Sequence, residues 1–274
     1  MIFRPLGPAL LSFLMAVSAS PGGAQLRPLE PIPWDVFQKN AVIAADLSWS
    51  TLLDQRASLA GTSGTLTELG NFSLSVRTGR VALQGTGTAE RVFRDRSRFA
   101  EPYSGVEVPT NNRRHDAGDY SISTSIRVTP DEYPLTGVLR FGTRLPTTTD
   151  NPGLDRNATD FFATLGASGE RAAFFARAEG GLSVNGTRAP VQQQTLFVYG
   201  VHAGARAGMW SPRITFLGQL HERGQVPIRG LESLGEARLG LRYSRQVWLQ
   251  VEAVKGYETF SPSRGIVISA GYIH

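Results

Sequence analysis

From about residue 43 to the C-terminal end, apolar and polar side chains alternate in runs of about 9 to 11 residues, the length at which a tilted strand crosses a bilayer. In residues 119–128, Tyr120, Ile122, Thr124, Ile126 and Val128 share one face, and Asp119, Ser121, Ser123, Ser125 and Arg127 share the other. Residues 236–244 set Ala237, Leu239, Leu241 and Tyr243 against Glu236, Arg238, Gly240, Arg242 and Ser244, and residues 246–253 repeat the pattern. Runs of this kind lie near 43–51, 70–78, 80–92, 118–129, 135–146, 158–168, 170–181, 193–207, 211–222, 232–244, 246–256 and 264–274. The pattern predicts an all-β fold, a transmembrane antiparallel up-and-down β-barrel of about 12 strands.

Short and long connections alternate between these runs. Short ones fall near 78–79, 129–134, 168–169, 208–212 and 244–245, and long ones span 52–70, 93–117, 146–157, 181–192, 222–231 and 257–263. Short periplasmic turns and longer outer loops are the arrangement of outer-membrane barrels. Aromatic residues collect at the two ends, with Tyr133, Trp210, Tyr243 and Tyr272 at the short-turn end and Phe93, Tyr120, Phe161, Tyr257 and Phe260 at the loop end. A soluble β-sandwich also alternates, but it needs a uniformly large apolar buried face and imposes no alternation of loop length.

The first 24 residues read as an export signal, with Arg4 ahead of an apolar run over 6–17 and small residues after it, so that cleavage fits after Ala19 or Ala24. Residues 25–42, with Pro28, Pro31 and Pro33, are expected to form an extended periplasmic segment, followed by the barrel over 43–274. The expected location is the bacterial outer membrane. Barrel-assembly machinery, outer-membrane lipid and lipopolysaccharide are then the expected partners.

The chain has 28 Lys and Arg against 23 Asp and Glu, and Lys39 and Lys255 are its two lysines. That excess is too small and scattered for a nucleic-acid partner. The absence of cysteine excludes thiolate metal sites, cysteine nucleophiles and lipoprotein anchoring. If the apolar face meets lipid, the polar face lines the lumen. It carries Arg77, Arg127, Arg140, Arg144, Arg171, Arg177, Glu179, His202, Arg206, Arg213, His221, Glu236, Arg238, Arg242 and Glu252, with Asp119 near the loop end. A net-positive lumen favours small anionic solutes, and Arg140→Glu or Arg238→Glu should then shift preference toward cations. The same residues also suit a self-paired plug, in which Arg and Glu from neighbouring strands neutralise one another. The loop 93–117 adds Arg94, Arg96, Arg98, Arg113 and Arg114, which suit either a gate at the mouth or contact with lipopolysaccharide. No cofactor is called for. Neither a Gly-x-Ser-x-Gly elbow nor a His-x-Ser strand motif is present, so no enzyme is expected, although His221 has Ser211 and Ser233 as candidate partners.

Residues 139–165, LRFGTRLPTTTDNPGLDRNATDFFATL, resemble the signature hairpin of the phenol-degradation MetA-pathway family of outer-membrane proteins. Gly142, Arg144, Leu145, Pro146 and Thr147 follow its Gly-x-Lys-Leu-Pro-Thr run with Arg in place of Lys, Thr148 stands where Gly is usual, and Asp160 opens the next strand. The resemblance covers about a tenth of the chain. It implies an envelope barrel that imports hydrophobic or aromatic compounds. A passive channel for small solutes, a closed barrel handling hydrophobic compounds and an adhesive protein acting through its long loops are the functions the sequence leaves open.

Overall fold

The computed structural model describes residues 22–23, 26–33, 36–37, 42–103, 106–146, 153–154, 156–186, 194–221 and 229–273. The chain up to residue 21, which holds most of the expected signal, lies outside the described residues.

Twelve antiparallel strands form one closed barrel. They are β1 (Ile43–Ala57), β2 (Thr62–Thr78), β3 (Val81–Arg98), β4 (Tyr120–Arg127), β5 (Leu135–Leu145), β6 (Asp160–Arg171), β7 (Phe174–Asn185), β8 (Gln194–Ala205), β9 (Trp210–His221), β10 (Leu234–Ser244), β11 (Val247–Gly256) and β12 (Arg264–Ile273). Each pairs with its sequence neighbours, and β12 closes on β1 from Arg264 opposite Leu53 to Ile273 opposite Ala44. Closure leaves the spanning ladder without an open edge, a requirement in hydrocarbon. Two short pairings complete the described sheet structure, Arg113–Asp116 beside β3 and Gly22–Gly23 with Arg156–Asn157.

Alternation places large apolar side chains on the outer surface, as a belt facing hydrocarbon requires. Leu47, Leu74, Leu83, Leu165, Phe174, Leu239 and Leu249 are all exposed on that surface. At the short-turn end Trp210 meets Tyr243 edge-on at 5.0 Å, with Tyr133 and Tyr272 also exposed. Phe161 and Tyr257 are exposed near the other end. Phe93 departs from the expected girdle: it is fully buried and points inward.

Two of three departures from the sequence pattern share one cause, a break in the period of two. The stretch 52–70 is not a loop but the upper part of a long β1–β2 hairpin. Register shifts after Ser48 and Leu52, with Asp54 and Gly70 at positive φ, reverse the facing of residues on either side. β3 likewise runs on to Arg98 instead of ending at residue 92. The turn expected at 168–169 lies instead at Ala172 and Ala173, with Ala172 at φ 54°.

The extended hairpins fold over the outer mouth. Leu52, Leu59, Leu66, Phe93, Val106, Leu154, Val254 and Val267 form a buried apolar cluster there. Each buried side chain of this size contributes about 1.5–3 kcal/mol by leaving water, so the mouth is capped by a core of its own.

Candidate functional site: the occupied lumen

The expected periplasmic placement of residues 25–42 is corrected by the structure: residues 26–33, with Val36 and Phe37, run through the barrel interior. Leu26 is buried in the outer-mouth cluster, and Ile32, Val36 and Phe37 pack with Ala82 and Val138 near the opposite end. Three prolines explain why this stretch enters as a strap and not as a thirteenth strand. Pro28, Pro31 and Pro33 lack the N–H that a ladder needs and hold the chain extended. A periplasmic location would leave Arg27 and Glu30 in water, whereas the barrel wall offers each an opposite charge.

Arg27 donates to Glu68 at 2.9 Å and to both carboxylate oxygens of Glu236 at 3.0 and 3.2 Å. Glu30 accepts from Arg238 at 2.6 and 3.0 Å, and Arg238 also bonds Glu236 at 2.8 Å. Arg91 and Ser50 also donate to Glu68, each at 3.0 Å, and Asn71 does so at 3.5 Å. Glu68 and Glu236 are 2% and 0% exposed, so these carboxylates are tolerable only because each is held by two arginines. The strap's backbone is fastened too. Ile32 N–H donates to Glu179 at 2.8 Å, and the carbonyls of Glu30 and Pro33 accept from Arg140 at 2.9 Å and Arg177 at 3.0 Å. Thr164 donates to the other oxygen of Glu179 at 2.5 Å.

The sequence-derived lining residues fall into three groups. Arg140, Arg177, Glu179, Arg213, Glu236, Arg238, Arg242 and Glu252 are buried in the interior, with Arg127, Arg144 and His202 partly buried there. Arg140, Arg177, Glu179, Glu236 and Arg238 all engage the strap. Arg144 joins Asp119 and Asp160 across β4 to β6, His202 bonds Thr215 at 2.7 Å, and Arg242 stacks 4.0 Å from the Trp248 ring. Arg171 is the exception. With the turn at residues 172–173 it closes β6, where even-numbered residues face inward, so it is exposed at the barrel end instead of lining the lumen. The His221 ring has Gln194 at 3.1 Å, its backbone N–H donates to Ser233 Oγ at 3.3 Å, and Ser211 sits at the far end of the same strand.

Sequence reasoning missed Arg27, Glu30, Glu68 and Arg91. Arg27 and Glu30 are the charged residues of an otherwise apolar and proline-rich stretch, the signal that a partner awaited them. Glu68 and Arg91 lie beyond the break in alternation. A cavity of about 340 Å³ remains beside the strap. Ser73, Ser75, Gln84 and Ser121 line one wall, and Arg213, Arg242 and Glu252 line the opposite one. Among the described residues no cluster of His, Asp and Glu is arranged to hold a metal ion.

An outer-membrane channel of Pseudomonas putida F1 superposes with a TM-score of 0.65 at 11% identity, covering 90% of this chain and all of that one. The fold is that of outer-membrane β-barrels. The translocator domain of the autotransporter NalP from Neisseria meningitidis gives a TM-score of 0.49 at 12% identity, covering 87% of this chain and 91% of that one. No family model matches the sequence, and no curated protein matches it.

Proposed function

We propose that this chain is an outer-membrane channel for small solutes that is held closed by its own N-terminal strap. The observation that carries the reading is the Arg27–Glu68–Glu236–Arg238–Glu30 network, which fastens the strap across the lumen. The 340 Å³ cavity is the part of the passage left unfilled, and its arginine wall suits anionic solutes once the strap yields. The solved channel of P. putida supports the reading at the level of fold. No covalent chemistry is involved.

Planar-bilayer recording of the refolded mature chain tests it. The intact chain should show small or rare conductance steps, and a chain lacking residues 26–33 should show larger ones, with a reversal potential directed toward anions under a salt gradient. Equal currents from the two proteins would remove the strap from the mechanism. Cation-directed reversal would remove the anion preference.

A second reading, handling of hydrophobic compounds at the outer mouth, is supported by the apolar residues turned inward there. Leu52, Leu66, Leu196, Leu217 and Leu234 are all buried at that level. Uptake of a hydrophobic probe into proteoliposomes that show no ionic current would favour it.

A further inference from the structure

Above the apolar belt β3 continues to Arg98, and the strand Arg113–Asp116 lies antiparallel beside it. The register sets Phe93 opposite Arg114 and Arg94 opposite Arg113. Arg114 turns inward, where its guanidinium lies 4.6 Å from the Phe93 ring and bonds Asp95 at 2.6 and 3.0 Å and Thr62 at 2.6 Å. Burial pulls this guanidinium below its usual pKa, and the Asp95 carboxylate opposes that fall.

Arg94 and Arg113 turn the other way, and both are exposed. Residues directly opposite on antiparallel strands have Cβ atoms about 4.5–5.5 Å apart, and like charges so placed repel. Nearby carboxylates are committed elsewhere. Asp54 bonds Arg96 at 3.1 Å, Glu90 meets His115 at 3.0 Å, Asp95 holds Arg114, and Glu101 meets Arg98 at 3.1 Å. The fold therefore fixes two guanidinium groups side by side, outside the barrel, without a carboxylate partner among the described residues.

What lies below the pair indicates what it meets. Arg94 is opposite Thr65 on β2, whose outer face descends through Thr67 to the exposed apolar residues Leu69, Phe72, Leu74 and Val76. Leu69 lies four residue steps from Thr65, which is about 13 Å of strand, or about 10 Å along the membrane normal at a tilt of about 40°. Headgroups occupy about 5–8 Å beyond the hydrocarbon, within the reach of an arginine side chain at that height.

We propose that Arg94 and Arg113 bind the phosphate groups of an outer-leaflet glycolipid whose acyl chains lie on the Leu69, Phe72 and Leu74 surface. Planar guanidinium forks pair two-pronged with phosphate oxygens, and a phosphate between two of them replaces repulsion with two charge-assisted contacts. The site is independent of whether the lumen conducts and rests only on insertion of the barrel.

Native mass spectrometry of the full-length chain in detergent tests this, with bisphosphorylated lipid A, its dephosphorylated form and inorganic pyrophosphate as separate probes. Bisphosphorylated lipid A should be retained, and the dephosphorylated form should bind about tenfold more weakly, as expected for the loss of charge-assisted contacts. Arg94→Gln with Arg113→Gln should lose a similar factor. Arg206→Gln, which changes an exposed arginine paired with Glu170 at the other end of the barrel, should bind as the unaltered protein does. Heat-dependent gel migration reports folding, and if the double variant does not fold, the single variants are read in its place, each expected to bind several-fold more weakly. Equal retention of lipid A by the unaltered and glutamine proteins overturns the site. So does equal binding of the dephosphorylated lipid. Pyrophosphate that binds and displaces the lipid would make this a free-phosphate site and overturn the assignment to lipid.

Discussion

At Gly200 the strap comes within contact of the wall, because a Cβ built there would stand 2.7 Å from Cβ of Pro31. Gly200→Val therefore cannot coexist with the strap in place, while a β-branched residue suits the strand itself. The expected outcome is a folded barrel with conductance raised several-fold and residues 26–33 open to protease. Gly85→Val, at a position with nothing within 4 Å of a new Cβ, should leave both readouts unchanged. Arg140 gives a second prediction that reverses the one drawn from sequence. It holds Glu30 O at 2.9 Å and Glu179 at 3.5 Å, so Arg140→Glu does not merely recolour an open pore. It sets two buried carboxylates together and frees the strap. Breaking a buried pair in this way costs about 3–5 kcal/mol. A lower urea midpoint with a higher leak current is expected, and a pure change of ion selectivity at unchanged stability would count against the strap network.

Among the elements, β2 shows how far the strand pattern could be read. Its lower half alternates cleanly, with Asn71, Ser73, Ser75 and Arg77 inward, and residues 70–78 were legible as a strand. Above Gly70 the inward residues are Thr62, Gly64, Leu66 and Glu68, the opposite parity, so the continuation looks like a new and irregular segment. One residue at positive φ does this, and the same break hides Glu68 from any list of lumen residues. The displaced turn after β6 has a different cause. Ser168 and Gly169 carry turn chemistry, whereas Ala172 and Ala173 do not, yet it is the pairing with β5 and β7 that decides. The lining residues on regular strands were legible because period two alone fixes their side. Arg171 was misassigned because a turn displaced by a few residues placed it on the wrong strand. The strap was legible as an extended, proline-rich piece but not as an insert, since nothing local to it encodes the barrel wall. Gly70→Val tests the role of the bulge: the left-handed backbone at φ 65° costs an L-residue about 1–2 kcal/mol, and the new Cβ would lie 3.1 Å from that of Ala89. The heat-modification temperature should fall while the gel shift of the folded form persists.

Over the whole molecule the charges divide by height. Toward the loop end Arg27, Arg91, Arg144 and Arg238 meet Glu30, Glu68, Asp119, Asp160 and Glu236 in closed networks. Toward the short turns Arg77, Arg127, Arg177, Arg213 and Arg242 project inward from five strands, with Arg127 paired to Asp131 at 3.0 Å and Arg177 on the carbonyl of Pro33. The strap joins the two zones, with Leu26 in the outer-mouth core and Phe37 near the short-turn end, and it delivers the chain to the start of β1 on that side. With the short turns in the periplasm, the tip of β3 is outside the cell and the β10–β11 turn is inside. A chain free of cysteine makes this directly measurable. Ser97→Cys, on the exposed β3 extension, should react with a membrane-impermeant maleimide on intact cells. Gln246→Cys, in the β10–β11 turn, should react only after the outer membrane is permeabilised. The opposite pattern would invert the barrel, placing the arginine-rich end outside and the apolar cap within, and neither the strap as an exit gate nor the lipid-phosphate site at Arg94 and Arg113 would survive it.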